Sequence, residues 1–271
     1  MICTRTLIFL LFIFCFTAKS HGQTAEKLFG EESTKFSFVL QPSILRGYEL
    51  GIGPERVTDK TPGISFNNSF SPQFGFFYNF YQKNNFNFKA GIIAKAFIPT
   101  FNLHIPNDIL NAGYDYSSGL DHFEMANQFV ISETFKTEYF YNITDKLNLV
   151  IGLGISLDIR TSGGNDQLTV GIYDYNQETY QTIFSVESNE QQVTGSIDFS
   201  LGLNYKTNFG LFQLEFFSNS QLLSYPKQGI YQFHLNQQEP QIGVYTIKGD
   251  YIGLAVIFTP AQGWLKKKSK V

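Results

Sequence analysis

From Leu147 to Ile159 every odd position is a large aliphatic residue, and the positions between are Asn148, Val150, Gly152, Gly154, Ser156 and Asp158. A period of two over this length predicts a β-strand with one apolar face and one face that tolerates Gly and a carboxylate. The pattern recurs and predicts eight strands in all. The first, about 35–44, sets Phe36, Phe38, Leu40 and Ile44 against Ser37, Gln41 and Ser43; the second, about 68–81, sets Phe70, Phe74, Phe76, Tyr78 and Phe80 against Ser69, Ser71, Gln73 and Asn79. The third, 86–98, and the fourth, about 128–141, put Lys89, Lys95, Lys136 and Glu138 on their polar faces. The 147–159 segment is the fifth, with Asp158 and the adjoining Arg160 on the polar side. The sixth, 193–206, carries Asp198 and Lys206, the seventh, 212–222, carries Glu215, and the eighth ends on Ile252, Leu254, Val256 and Phe258. Pro72 is tolerable near a strand end, at a bulge or where no ladder bond is required. Glu133 interrupts the apolar face of the fourth strand, which predicts a place near a membrane edge or a bulge that displaces it.

The connections alternate long and short along the chain. Tight turns are predicted at 82–85, 142–145 and 206–208, rich in Asn and Asp, which tolerate turn backbones. This is the layout of an up-and-down antiparallel barrel with short turns on one rim and long loops on the other, and an even strand number puts both termini on the tight-turn side. Aromatic residues flank those turns, among them Tyr78, Phe80, Tyr139, Tyr141, Tyr205 and Phe209, as a headgroup belt requires. Two long connections hold further strand signals: 168–174 with 180–186, and 230–235 with 242–247. They predict a sheet that continues strands five to eight beyond the membrane, with Tyr173, Tyr175, Tyr180, Tyr231 and His234 as its candidate binding surface.

Composition agrees with sheet rather than helix. The 271 residues include 29 Phe and 15 Tyr, only 2 Met, and 16% charged residues. Mean hydropathy is slightly negative, so any membrane crossing must use alternating strands, whose hydrophobicity an average hides. The apolar run Leu7 to Phe16 behind Arg5, followed by Ser20-His21-Gly22, reads as a cleavable signal peptide over 1–22. Both cysteines, Cys3 and Cys15, lie inside it, which leaves residues 23–271 without thiol or disulfide chemistry. The expected organisation is a signal peptide at 1–22, a periplasmic segment at 23–34, the barrel at 35–260 and a basic periplasmic tail at 261–271. A net charge of −3 gives no footprint for nucleic acid.

Candidate chemistry is sparse. The inward positions Lys89, Lys95, Lys136, Glu138, Asp158, Arg160, Asp198, Lys206 and Glu215 are expected to form a hydrogen-bonded polar plug, because an eight-stranded barrel is just wide enough to be filled by its own side chains. The competing reading is an ion or solute path. Gly152 and Gly154 are expected to admit side chains from the opposite wall. Beyond the signal segment the histidines are His104, His122 and His234, all in predicted loops, and neither Asp121-His122 nor the nearby Ser117 and Ser118 makes a triad by spacing. The acidic third loop, with Asp166, Asp174, Glu178, Glu187 and Glu190, lacks the ligand spacing of a calcium loop. No cofactor or metal site is expected.

Ser71-Pro72-Gln73-Phe74-Gly75-Phe76-Phe77-Tyr78, the strand Leu149 to Leu157 and the terminal Tyr251-Ile252-Gly253-Leu254-Ala255-Val256-Ile257-Phe258 together resemble the PorT-like outer-membrane β-barrel family of Bacteroidetes-type Gram-negative bacteria. The resemblance implies an all-β, eight-stranded transmembrane barrel in the outer membrane. The expected role is non-enzymatic: binding through extended loops, or service in an envelope or secretion assembly. Its partners would be outer-membrane lipid, envelope proteins and an extracellular ligand. The alternatives are a small passive channel, a lipid-modifying enzyme using His104 or His122, and, at the level of fold, a soluble secreted barrel.

Overall fold

The computed structural model describes residues 25, 28–29, 33–51, 62–105, 123–124, 128–161, 165–174, 179–235 and 239–262. In chain order the strands are β1 (Phe36–Leu50), β2 (Gly63–Asn67), β3 (Ser69–Lys83), β4 (Phe86–Phe97), β5 (Thr100–His104), β6 (Phe123–Glu124), β7 (Gln128–Asn142), β8 (Leu147–Arg160), β9 (Asn165–Asp174), β10 (Thr179–Glu190), β11 (Val193–Thr207), β12 (Gly210–Leu223), β13 (Lys227–Phe233) and β14 (Gln241–Pro260). The main sheet runs β1-β3-β4-β7-β8-β11-β12-β14 and closes on itself through an antiparallel β1–β14 ladder. The fold is therefore an antiparallel eight-stranded barrel, and its wall strands are the eight that alternation predicts.

Side-chain parity fixes which face is which. Along β8 the aliphatic residues from Leu153 to Ile159 are exposed, while Gly152, Gly154, Ser156, Asp158 and Arg160 are buried. Phe70, Phe135 and Ile155 are 63%, 56% and 61% exposed on the outer wall, as are many neighbours of their kind. A continuous apolar exterior of this size is unlike the surface of a soluble monomer. It is the exterior of a membrane-spanning barrel, which takes up the period-two apolar residues against lipid.

Glu133 faces outward, and no bulge displaces it: it pairs continuously with Ile92 on one side and Leu157 on the other. A tilted strand climbs roughly 2.5 Å per residue. That puts Glu133 some 20 Å or more above the Asn142 turn, in the upper part of an apolar band about 25 Å tall, with Phe129 and Ile131 exposed beyond it. Pro42 and Pro72 sit directly opposite each other in the β1–β3 ladder. The β1–β14 ladder omits Gln41 and Pro42, and the β3–β4 ladder starts only at Gln73. The Ser71 hydroxyl donates to the Ala96 carbonyl beside this gap, so the β4 acceptor next to Pro72 stays paired.

Above the wall, β14 and β1 run on into a second structure. Upper β14 pairs with β13, which continues through β10 to β9. A three-stranded sheet, β2-β5-β6, lies apart from the main sheet and packs on it through aromatic rings. Phe66 stacks on Tyr48 at 4.9 Å and meets Tyr245 at 5.5 Å, and Phe101 meets Phe184 at 6.1 Å. The expected protruding sheet is present; strand eight, β14, carries it upward as foreseen, and strand one, β1, runs up beside it, which was not. The small second sheet was not foreseen.

Candidate functional site

The barrel interior is stratified from one rim to the other. At the tight-turn rim Ala25, Leu28 and Phe29, from the segment before β1, are buried against Phe140, Val150 and Leu211. Phe29 meets Phe140 edge-on at 5.4 Å, and the Ala25 N–H donates to the Asn84 carbonyl at 2.6 Å. The segment expected merely to lie in the periplasm thus forms an apolar floor inside the barrel mouth.

Directly above the floor lies a compact ionic layer. Lys89 Nζ is 2.5 Å from Glu138 Oε1, and Lys136 Nζ lies 2.5 Å from Glu215 Oε2 and 3.4 Å from Glu138 Oε1. Gln213 Nε2 donates to Glu138 at 2.8 Å and to Glu215 at 2.7 Å, and Asn87 Nδ2 donates to Glu138 Oε2 at 3.2 Å. The Lys89 ammonium also lies over the Phe77 ring, 4.4 Å from its centroid. Two cations and two anions cancel, which is what burial demands. Gly152 makes room for this layer: a Cβ there would meet Lys136 Cε at 2.4 Å and Ser200 Oγ at 2.3 Å. Both residues belong to the adjoining strands β7 and β11, so the space serves neighbours and not the opposite wall as expected.

A second polar layer lies higher. Lys95 donates to Asp158 at 2.9 Å, and Gln221 Nε2 reaches the other oxygen of Asp158 at 3.1 Å. Asp198 accepts from Ser156 at 2.5 Å and from Asn219 at 2.7 Å. Arg160 donates to the Gln191 carbonyl at 2.9 Å and to Thr194 at 3.2 Å, with its guanidinium 5.3 Å from the Phe97 ring centroid. Lys206 sits only half-buried at the tight-turn rim. A single apolar cluster runs from Val39, Phe77 and Ile257 in the lumen up through Leu45 and Phe97 to Phe101, Phe184 and Phe233 in the cap. A small cavity lined by Lys95, Thr134 and Asp198 measures about 20 Å³, room for about one water. Among the described residues, the interior from floor to cap is lined by paired polar side chains and packed rings.

The cap places the other candidate residues. Tyr231, expected on the loop surface, is fully buried. Its ring lies over Gly243, directly opposite on β14, where a Cβ would approach the ring to 2.1 Å. Alternation along β13 turns Tyr231 and Phe233 inward and Ile230 outward, so the aromatic residue is core and the aliphatic one is exposed. His234 Nε2 is 3.3 Å from the Ser185 hydroxyl. Tyr173 and Tyr180 stand opposite each other in the backbone register of β9 and β10; Tyr175 lies outside the described residues. His104 is in a strand, β5, and is buried, while Ser117, Ser118, Asp121, His122 and Glu178 lie outside the described residues, as does the 1–22 segment. Sequence reasoning missed the buried Lys227–Glu190 pair, 2.7 Å apart at the base of the cap, since only the β10–β13 register brings the two together. Burial pushes the Tyr48 phenol up to about 12. The exposed Lys248 is held above the ordinary lysine range by its hydrogen bond to Glu49.

No family model and no curated protein matches the sequence. The barrel is similar to outer-membrane protein OprG from Pseudomonas aeruginosa, at 11% identity and a TM-score of 0.40, covering 84% of this chain and 98% of that one. It is also similar to outer membrane protein AlkL, at 13% and 0.30 over 90% of this chain and 91% of that one. A third likeness is to Ail, the attachment invasion locus protein of Yersinia pestis, at 13% and 0.26 over 84% of this chain and 99% of that one. At these values the likenesses say nothing about activity, ligand or partner, and the PorT-like resemblance has no matching family model behind it.

Proposed function

We propose that this is a non-enzymatic outer-membrane protein whose barrel is a sealed pedestal and whose cap is the working part, binding a partner outside the cell. The observation that carries this reading is the division of labour in the interior: the lower ionic layer is charge-balanced, the upper polar layer pairs Lys95 with Asp158, and the space above them is filled by the core of the cap. An eight-stranded wall with such a filling transports nothing but supports a great deal. The PorT-like resemblance and a role in an envelope assembly fit the same reading, since a rigid module outside a sealed barrel can dock either a ligand or another envelope protein.

Deleting residues 166–188 tests it. The deletion removes most of β9 and β10, which lie outside the closed wall. The shortened protein should keep the heat-modifiable gel mobility of a folded barrel and lose its surface crosslinks on intact cells. Unchanged crosslinks would overturn the reading. So would discrete conductance by the intact protein in planar bilayers, which would favour the channel.

A further inference from the structure

The outer face of the cap sheet has a chemistry of its own. Cross-strand register aligns Gln167, Glu187, Ile230 and Val244 in one row across β9, β10, β13 and β14, and Asn189 with Gln228 in the next. All six side chains are exposed, and they line a hollow of about 550 Å³, within the range of small-molecule sites, roughly 300–1,000 Å³. Glu187 is the one charged residue among the six, and Gln167 Nε2 already donates to it at 3.4 Å.

This set discriminates between ligand classes. It has no Lys or Arg for a phosphate or sulfate and no second carboxylate for a cation. Ile230, Val244 and the adjoining Ile242 together make too narrow a stripe for an amphipathic helix. Primary amides, by contrast, offer two donors and an acceptor in one plane. That suits adjacent hydroxyls, each of which also donates and accepts, and the Ile230–Val244 pair can cover the C–H face of a sugar ring. We infer that this hollow binds a neutral oligosaccharide, with Asn189, Gln228 and Gln167 taking its hydroxyls and Ile230 and Val244 its apolar face. The inference deepens the proposed binding role of the cap and rests on it.

The test uses the full barrel in nanodiscs, with maltohexaose, cellohexaose, mannohexaose and xylohexaose as neutral probes and heparin and polygalacturonate fragments as acidic ones. Calorimetry should find at least one neutral probe binding tighter than about 1 mM, and the Asn189→Ala/Gln228→Ala double variant should weaken it at least about tenfold with gel mobility unchanged. Hydroxyl-radical footprinting of the unaltered protein should show saccharide protection confined to β9, β10, β13 and upper β14, a readout that needs no variant. Absence of neutral binding, preference for the acidic probes, or protection elsewhere would overturn the inference. If cell-surface crosslinks to a protein disappear with residues 166–188 while no saccharide binds, the inference fails and the cap's binding role stands.

Discussion

Replacing Glu138 by Gln should be among the most costly single changes in the barrel. Glu138 is fully buried, and its two oxygens accept from Lys89 at 2.5 Å, Gln213 at 2.8 Å, Asn87 at 3.2 Å and Lys136 at 3.4 Å. Every one of those neighbours is a donor. A Gln amide removes the negative charge that balances the layer and turns one acceptor into a further donor facing donors. Breaking a buried pair by removing one partner costs about 3–5 kcal/mol, and leaving a buried donor unmatched accounts for about 1–3 kcal/mol of such losses. We expect about 4 kcal/mol. Lys89→Met in the same molecule restores neutrality, since one cation and one anion leave together, and the methionine keeps contact with Phe77. The double variant should therefore lie at least about 2 kcal/mol above the sum of the single effects. Urea titration in detergent micelles, followed by gel mobility and circular dichroism, measures all four corners of the cycle. A loss below about 1 kcal/mol for Glu138→Gln, or additive effects in the double variant, would refute the picture of a charge-balanced, desolvated layer.

Other perturbations probe other levels of the fold. Phe29→Ala should cost up to about 3 kcal/mol, the low end for a buried Phe, and should make a cysteine placed at Val150 reactive to maleimide from the tight-turn side while the wall stays folded. Gly243→Ala should force the Tyr231 ring aside at a cost of about 1–3 kcal/mol, which limited proteolysis would detect as cleavage within the cap and not in the wall. Glu133→Leu should stabilise the barrel by less than about 1 kcal/mol, as expected for a carboxylate in the upper part of the band; a gain above about 2 kcal/mol would move it to mid-depth.

The wall was legible because lipid on one side and polar filling on the other impose a strict period of two, strong enough to set the face of each residue in β8 and β11. The identities of the lumen residues were legible for the same reason, but their partners were not. Lys95 finds Asp158 across strands that do not adjoin in the wall, and such pairings depend on stagger around the barrel, which alternation does not encode. The cap was read only in part. β2 and β5 are five residues each, too short to show a period, and Tyr231 was placed on the surface because its ring and hydroxyl suit either side of a sheet. Leu28 and Phe29 are an apolar pair without periodicity, and nothing in such a pair announces a seat inside a barrel.

That seat has a consequence for timing. The wall closes only where β1 meets β14, the first strand and the last, and Phe29 precedes both. Until β14 arrives the mouth stays open on one side and the bonds that tie the segment to it, Ser33 with Ala261 and the Thr34 N–H to the Pro260 carbonyl, cannot form, so the earliest part of this fold to be made is locked in place late. An unseated N-terminal segment, open to proteases from the tight-turn side, would then mark barrels whose assembly had stalled one strand short.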